Sequence, residues 1–178
     1  MIHTKKGFTL LEVLTVVVII VLMVAWALPQ YMRSVERSRL MEAVTLLDNV
    51  AKAQQRKYMQ LNKFMLTYKG LDVAFPGASG SVFYTKGDPV TGENCNGFAM
   101  ELHNGPSYET GYVDAIRYNS GQDLRSHYTL RRLYGNPETS CMSDEPSGQA
   151  LCADFCGIED PVPACCSDGM SRACVPES

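Results

Sequence analysis

The chain has 178 residues, of which 46% are apolar and 20% charged, and its formal net charge is −3. That length fits one domain of about 100–150 residues plus an extra element, and the composition excludes wholesale disorder and nucleic-acid binding driven by bulk positive charge. The charge is uneven: residues 134–178 carry eight acids and one base, a net of −7, which leaves +4 on residues 1–133.

Residues 1–7 form a short basic head containing Lys5 and Lys6. From 8 to 28 the only charge is Glu12. At about 1.5 Å per residue this run spans roughly 30 Å as a helix, enough to cross a bilayer core. Lys5 and Lys6 predict that the head stays cytoplasmic and the rest of the chain faces outward. A secretory signal is cut behind its apolar region at small residues, and no A-x-A pattern follows Leu28. The basic head is the segment to remove. Glu12 needs a partner, because a carboxylate in a spanning segment costs about 2.5–3.5 kcal/mol near the helix centre, less near an end. Removal of residues 1–7 supplies one: Phe8 then carries an α-ammonium one helical turn from Glu12, in the same chain or a neighbour. Such a pair can set register.

Past Pro29 a helical pattern continues. Leu40, Val44, Leu47, Ala51, Tyr58 and Leu61 recur mostly at three- or four-residue steps, Gln54 fills the gap, and charged residues lie between them. The spacing predicts one helix of roughly 55 residues, apolar all round in its first half and amphipathic in its second, kinked or locally opened at Pro29. Residues 70–97 read as a long connecting loop rich in Gly, Pro, Ser and Thr. Strand candidates follow at 98–103, 112–119 and 127–133, each bounded by turn residues. The tail, 134–178, reads as an acidic, cysteine-rich loop. The fold class expected is α+β: a long spine helix, half of it membrane-embedded, on an antiparallel sheet. The expected division is a leader at 1–7, a membrane or filament-core half-helix at 8–35, and a globular head at 36–178.

The run Gly7-Phe8-Thr9-Leu10-Leu11-Glu12 behind a basic leader resembles the cleavage and methylation motif of type IV pilins and pseudopilins. Pro29-Gln30-Tyr31 and Arg37-Ser38 fall where many type IV pilins carry similar residues. The resemblance implies a peptidase that cuts between Gly7 and Phe8 and methylates the Phe8 amine. It implies a homopolymer built through the helix, pairing Glu12 with Phe8, and assembled by an inner-membrane platform with minor pilins. A surface pilus for adhesion, motility or DNA uptake is the leading expectation, and a type II secretion pseudopilin the alternative. Gly135-Asn136-Pro137 faintly resembles a pseudopilin sequence. In many family filaments the helix melts near a glycine before the proline, and this chain has no Gly between Phe8 and Pro29.

Six of seven cysteines fall between Cys141 and Cys174, which predicts disulfides formed in an oxidising compartment. Cys95, Cys141, Cys152, Cys156, Cys165, Cys166 and Cys174 are all candidates, and the odd count leaves at least one thiol or an interchain bond. Family pilins commonly bond one pair around the C-terminal loop. Zinc is disfavoured, since only Cys152-x3-Cys156 approaches a metal knuckle and the three histidines lie elsewhere. Asp154, Glu159, Asp160 and Asp168 lack EF-hand spacing and read as solvated charge. No cofactor or metal is expected. Arg117, Arg125, Arg131 and Arg132, with Tyr118, Tyr128 and Tyr134, make a candidate basic patch for DNA or an anionic surface. No nucleophile, P-loop or zinc-protease motif appears, and Asp123 with His127 lacks a nucleophile. A structural protein is expected, not an enzyme.

Overall fold

The computed structural model describes residues 9–105, 110–119, 127–143, 145–157 and 164–165. It divides between Arg39 and Leu40 into two compact units. Helix α1, Leu10–Leu61, belongs to both and runs through Pro29, whose ring nitrogen cannot donate to the Ala25 carbonyl. In the first unit residues 9–34 are exposed throughout. By length and composition, α1 is the one helix among the described residues suited to crossing a membrane.

In the second unit, Leu40, Ala43, Leu47, Val50, Ala51 and Gln54 form one buried face of α1. Their three- and four-residue spacing is that of a single helical stripe. Among the described residues six strands make one antiparallel meander in chain order: β1 Val82–Tyr84, β2 Asn96–His103, β3 Tyr112–Asn119, β4 Thr129–Leu133, β5 Thr139–Met142 and β6 Ala164–Cys165. Alternation along the strands aims Phe98, Met100 and Leu102 of β2, Val113 and Ala115 of β3 and Leu130 of β4 at the buried helix face. The expected α+β architecture is what the chain adopts.

Gln54 is fully buried, and its amide serves both backbone groups of Met65: Nε2 donates to the carbonyl and Oε1 accepts the N–H, each at 2.8 Å. Gln54 therefore secures the chain where it turns back after α1. Gln54→Leu keeps most of the volume but strands two backbone groups, so the head should lose about 2–4 kcal/mol. Urea unfolding of the soluble head measures this, and a loss below about 0.5 kcal/mol would show that Met65 finds other partners.

Three expectations are corrected. Leu61 continues the apolar stripe in sequence but does not join the core, being 50% exposed. The helix ends there, Asn62 takes a left-handed backbone (φ 53°), and Phe64 packs instead between Tyr58 and Tyr134. The stretch 70–97 is not loop alone, since it holds edge strand β1 and follows a 3₁₀ turn, Tyr68–Gly70. Three residues are too few to show a period. Packing fixes β1 through the Tyr68, Phe75 and Phe83 rings, with the Tyr68 hydroxyl donating to the Met100 carbonyl. The tail is not a plain loop either. It contains β5, β6 and helix α2, Pro146–Cys156. Pro in the first turn and left-handed Gly157 (φ 69°) at the end bound α2 as a short helix is ordinarily bounded. Gly148 faces the His127 carbonyl and the Ser143 hydroxyl so closely that a Cβ would overlap both.

Candidate functional site

Thr9 is the residue just before α1. Its Oγ1 accepts the Glu12 N–H at 3.3 Å, and its carbonyl accepts the N–H groups of Glu12 and Val13 at 3.1 and 3.3 Å. Thr with Glu three positions on is the capping-box spacing. Glu12 thus sits in the first turn, where the positive end of the helix dipole favours a carboxylate. Its side chain is exposed, and the described residues place no cation against it. Lys5, Lys6, Gly7 and Phe8 lie outside the described residues. Reading the residues for charge alone passes over Thr9 as a cap, although the T-x-x-E spacing signals it.

The apolar stretch behind this capped start carries polar residues only at Thr9, Glu12 and Thr15 up to Leu28, and Thr15 Oγ1 turns inward to donate to the Glu12 carbonyl at 2.9 Å. The surface of this half-helix is therefore nearly unbroken hydrocarbon around one carboxylate. A family model described as the prokaryotic N-terminal methylation motif matches residues 2–28. The type IV major pilin protein PilE1 of Neisseria gonorrhoeae is 24% identical over 184 residues, covering 96% of this chain and 92% of that protein. The chain thus resembles type IV pilins, in its N-terminal motif and distantly along its length. No solved structure gives a significant match.

Pilin-family proteins are structural and not enzymatic, and the family implies polymerisation and processing by a prepilin peptidase. The cysteines of the pilin-like head follow from its fold. Cys141 of β5 and Cys152 of α2 form a disulfide, with Cα atoms 5.4 Å apart, both fully buried in the core. Cys156 is also disulfide-bonded. Cys95 is a buried thiol that donates to the Thr85 carbonyl, and burial pushes its pKa up, away from the reactive thiolate. The backbone of Cys165 pairs with Cys141 in the sheet, while its sulfur, Cys166 and Cys174 lie outside the described residues.

The basic patch read from the sequence is taken up internally. Arg117 is buried and donates to the carbonyls of Gly97 and Tyr118 and to Asn96 Oδ1. Arg131 forms a two-pronged pair with Asp114, 2.8 Å at each prong, over the face of Tyr112. Arg132 reaches Asp48 of α1 at 2.6 Å. Arg125 lies outside the described residues, and Tyr128 and Tyr134 are buried. The reason is register: Asp114 stands directly across from Arg131, and Arg132 faces the helix side of the sheet. Among the described residues no group of three or more His, Cys, Asp or Glu side chains is arranged for a metal. Asp154 is exposed on α2, and Glu159, Asp160, Asp168 and Asp123 lie outside the described residues. Asn136 of the Gly135-Asn136-Pro137 sequence accepts the Glu138 N–H at 3.0 Å and closes a turn.

Proposed function

We infer that the chain is made as an inner-membrane precursor with its N-terminus in the cytoplasm, is cut between Gly7 and Phe8 and is methylated on the Phe8 amine. It then polymerises through α1 into a type IV pilus at the cell surface. The observation that carries this reading is Glu12: a carboxylate in the first turn of an exposed apolar helix, with no cation against it among the described residues. Cutting at Gly7–Phe8 creates the missing charge four residues away. Lys5 and Lys6 hold the leader in the cytoplasm. The similarity to a major pilin supports a pilin-type subunit, and the cysteine-rich tail favours a surface pilus over an envelope-confined pseudopilus.

The polymer follows from the same residues. An exposed apolar helix is stable in lipid or against other apolar helices, and the amine of one subunit can meet Glu12 of the next as helices leave lipid. The peptidase, the assembly platform and minor pilins are the partners this route requires. The mature chain should begin at Phe8 and carry one additional methyl group. Intact-mass measurement of subunits sheared from cells checks this, and subunits retaining residues 1–7 would refute it. Subunits starting at Phe8 but confined to the envelope would place the chain in a pseudopilus.

A further inference from the structure

Trp26 is the single tryptophan of the chain and lies near the end of the apolar run. It is 75% exposed on α1, and Tyr31, five residues on, is 65% exposed. Rings of this kind collect at membrane boundaries, with the ring body in hydrocarbon and the N–H or O–H in water. Two registers of the precursor in a bilayer are then open. In one, Trp26 marks the outer boundary, and Lys6, 20 residues earlier in the sequence, falls about 30 Å away at helical rise, at the inner boundary. Glu12 is then submerged by roughly 9 Å. In the other, Glu12 lies at the inner boundary and Tyr31, 19 residues later, at the outer one about 28 Å away. That register submerges Trp26, Pro29 and Gln30.

Side-chain direction decides between them. Helical side chains lean toward the helix N-terminus. At the inner end that direction is toward cytoplasmic water, so the Glu12 carboxylate leans back toward the boundary and lies shallower than its own backbone. At the outer end it is toward the bilayer centre, so a submerged Gln30 amide is aimed deeper into hydrocarbon. Gln30 is exposed on α1 and would face lipid. Submerging Pro29 also places in hydrocarbon the Ala25 carbonyl, which lacks its helical donor. One carboxylate leaning toward water is a smaller burden than an amide and an orphaned carbonyl turned toward the bilayer centre.

We propose that Trp26 anchors α1 in the outer leaflet, and that its partner surface is the headgroup boundary of a lipid bilayer. This register holds Glu12 roughly 9 Å beneath the inner boundary. The proposal rests on the membrane-held precursor reading above.

The test uses the uncut full-length chain in vesicles of phosphatidylcholine and phosphatidylglycerol, brominated either high on the acyl chains or near their ends. Because Trp26 is the single tryptophan, all indole fluorescence reports its depth. Bromines high on the chain should quench it at least about twofold more strongly than deep ones. Stronger quenching by deep bromines would overturn the proposal in favour of the Tyr31 register. Absence of quenching by either would overturn it as well. The mass of subunits from cells then tells whether processing at Gly7–Phe8 stands without this register.

Discussion

A Glu12→Gln subunit is expected to be expressed, inserted and cleaved, yet to be largely absent from sheared surface filaments. The substitution keeps the side-chain volume and lowers the cost of insertion, so a simple membrane anchor would tolerate it or insert more readily. A filament subunit loses the counter-charge for the Phe8 ammonium in an apolar helix bundle. Leaving one member of a buried ion pair alone costs roughly 3–5 kcal/mol, and the loss recurs at each added subunit. The capped helix start should survive the change, because the Thr9 oxygens accept from backbone N–H groups of residues 12 and 13 and not from the Glu12 side chain. Filament yield by shearing and electron microscopy is the measurement. Normal filament abundance would remove Glu12 from assembly. A precursor that accumulates uncut would place Glu12 in recognition by the peptidase.

Removing the disulfide between Cys141 and Cys152 should destabilise the head by about 3 kcal/mol. The bond closes a short loop, with a sequence separation of 11, and ties the buried face of α2 to β5. Without it α2 keeps Leu151, the close approach of Gly148 and neighbouring apolar contacts against the core, with the separate disulfide of Cys156 at its end. An 11-residue helix has little stability of its own. The double variant Cys141→Ala, Cys152→Ala avoids leaving an unpaired thiol, and urea unfolding of the soluble head compares it with the parent. Equal midpoints would sink the structural role of this bond. Reduction of the unmodified head should cost more than the double variant, because Cys156 is also disulfide-bonded.

Much of this molecule is determined by the sequence alone. The apolar run with its single carboxylate is a local feature read from a few neighbouring residues, and the T-x-x-E cap, passed over in that reading, is as local. The periodic stripe of Leu40, Leu47 and Ala51 follows from the helical repeat itself, which needs no partner to be seen. The strands expected at 98–103 and 112–119 were legible for the same reason: six to eight residues hold several alternations.

Tertiary structure decided the rest, wherever a segment too short to show a period is held by a distant partner. β1 exists because Phe83 enters a cluster with Tyr68 and Phe75. α2 is stapled to β5 through Cys152 and Cys141, a choice among many cysteine pairings that spacing leaves open. The arginines show the same division in charge. A run of Arg117, Arg131 and Arg132 reads as a basic patch until register sets Asp114 across from Arg131 and packing brings Asp48 to Arg132. Periodicity and capping act over a few residues and survive in the one-dimensional order. Pairing partners are chosen by proximity across tens of residues, which only the folded chain creates.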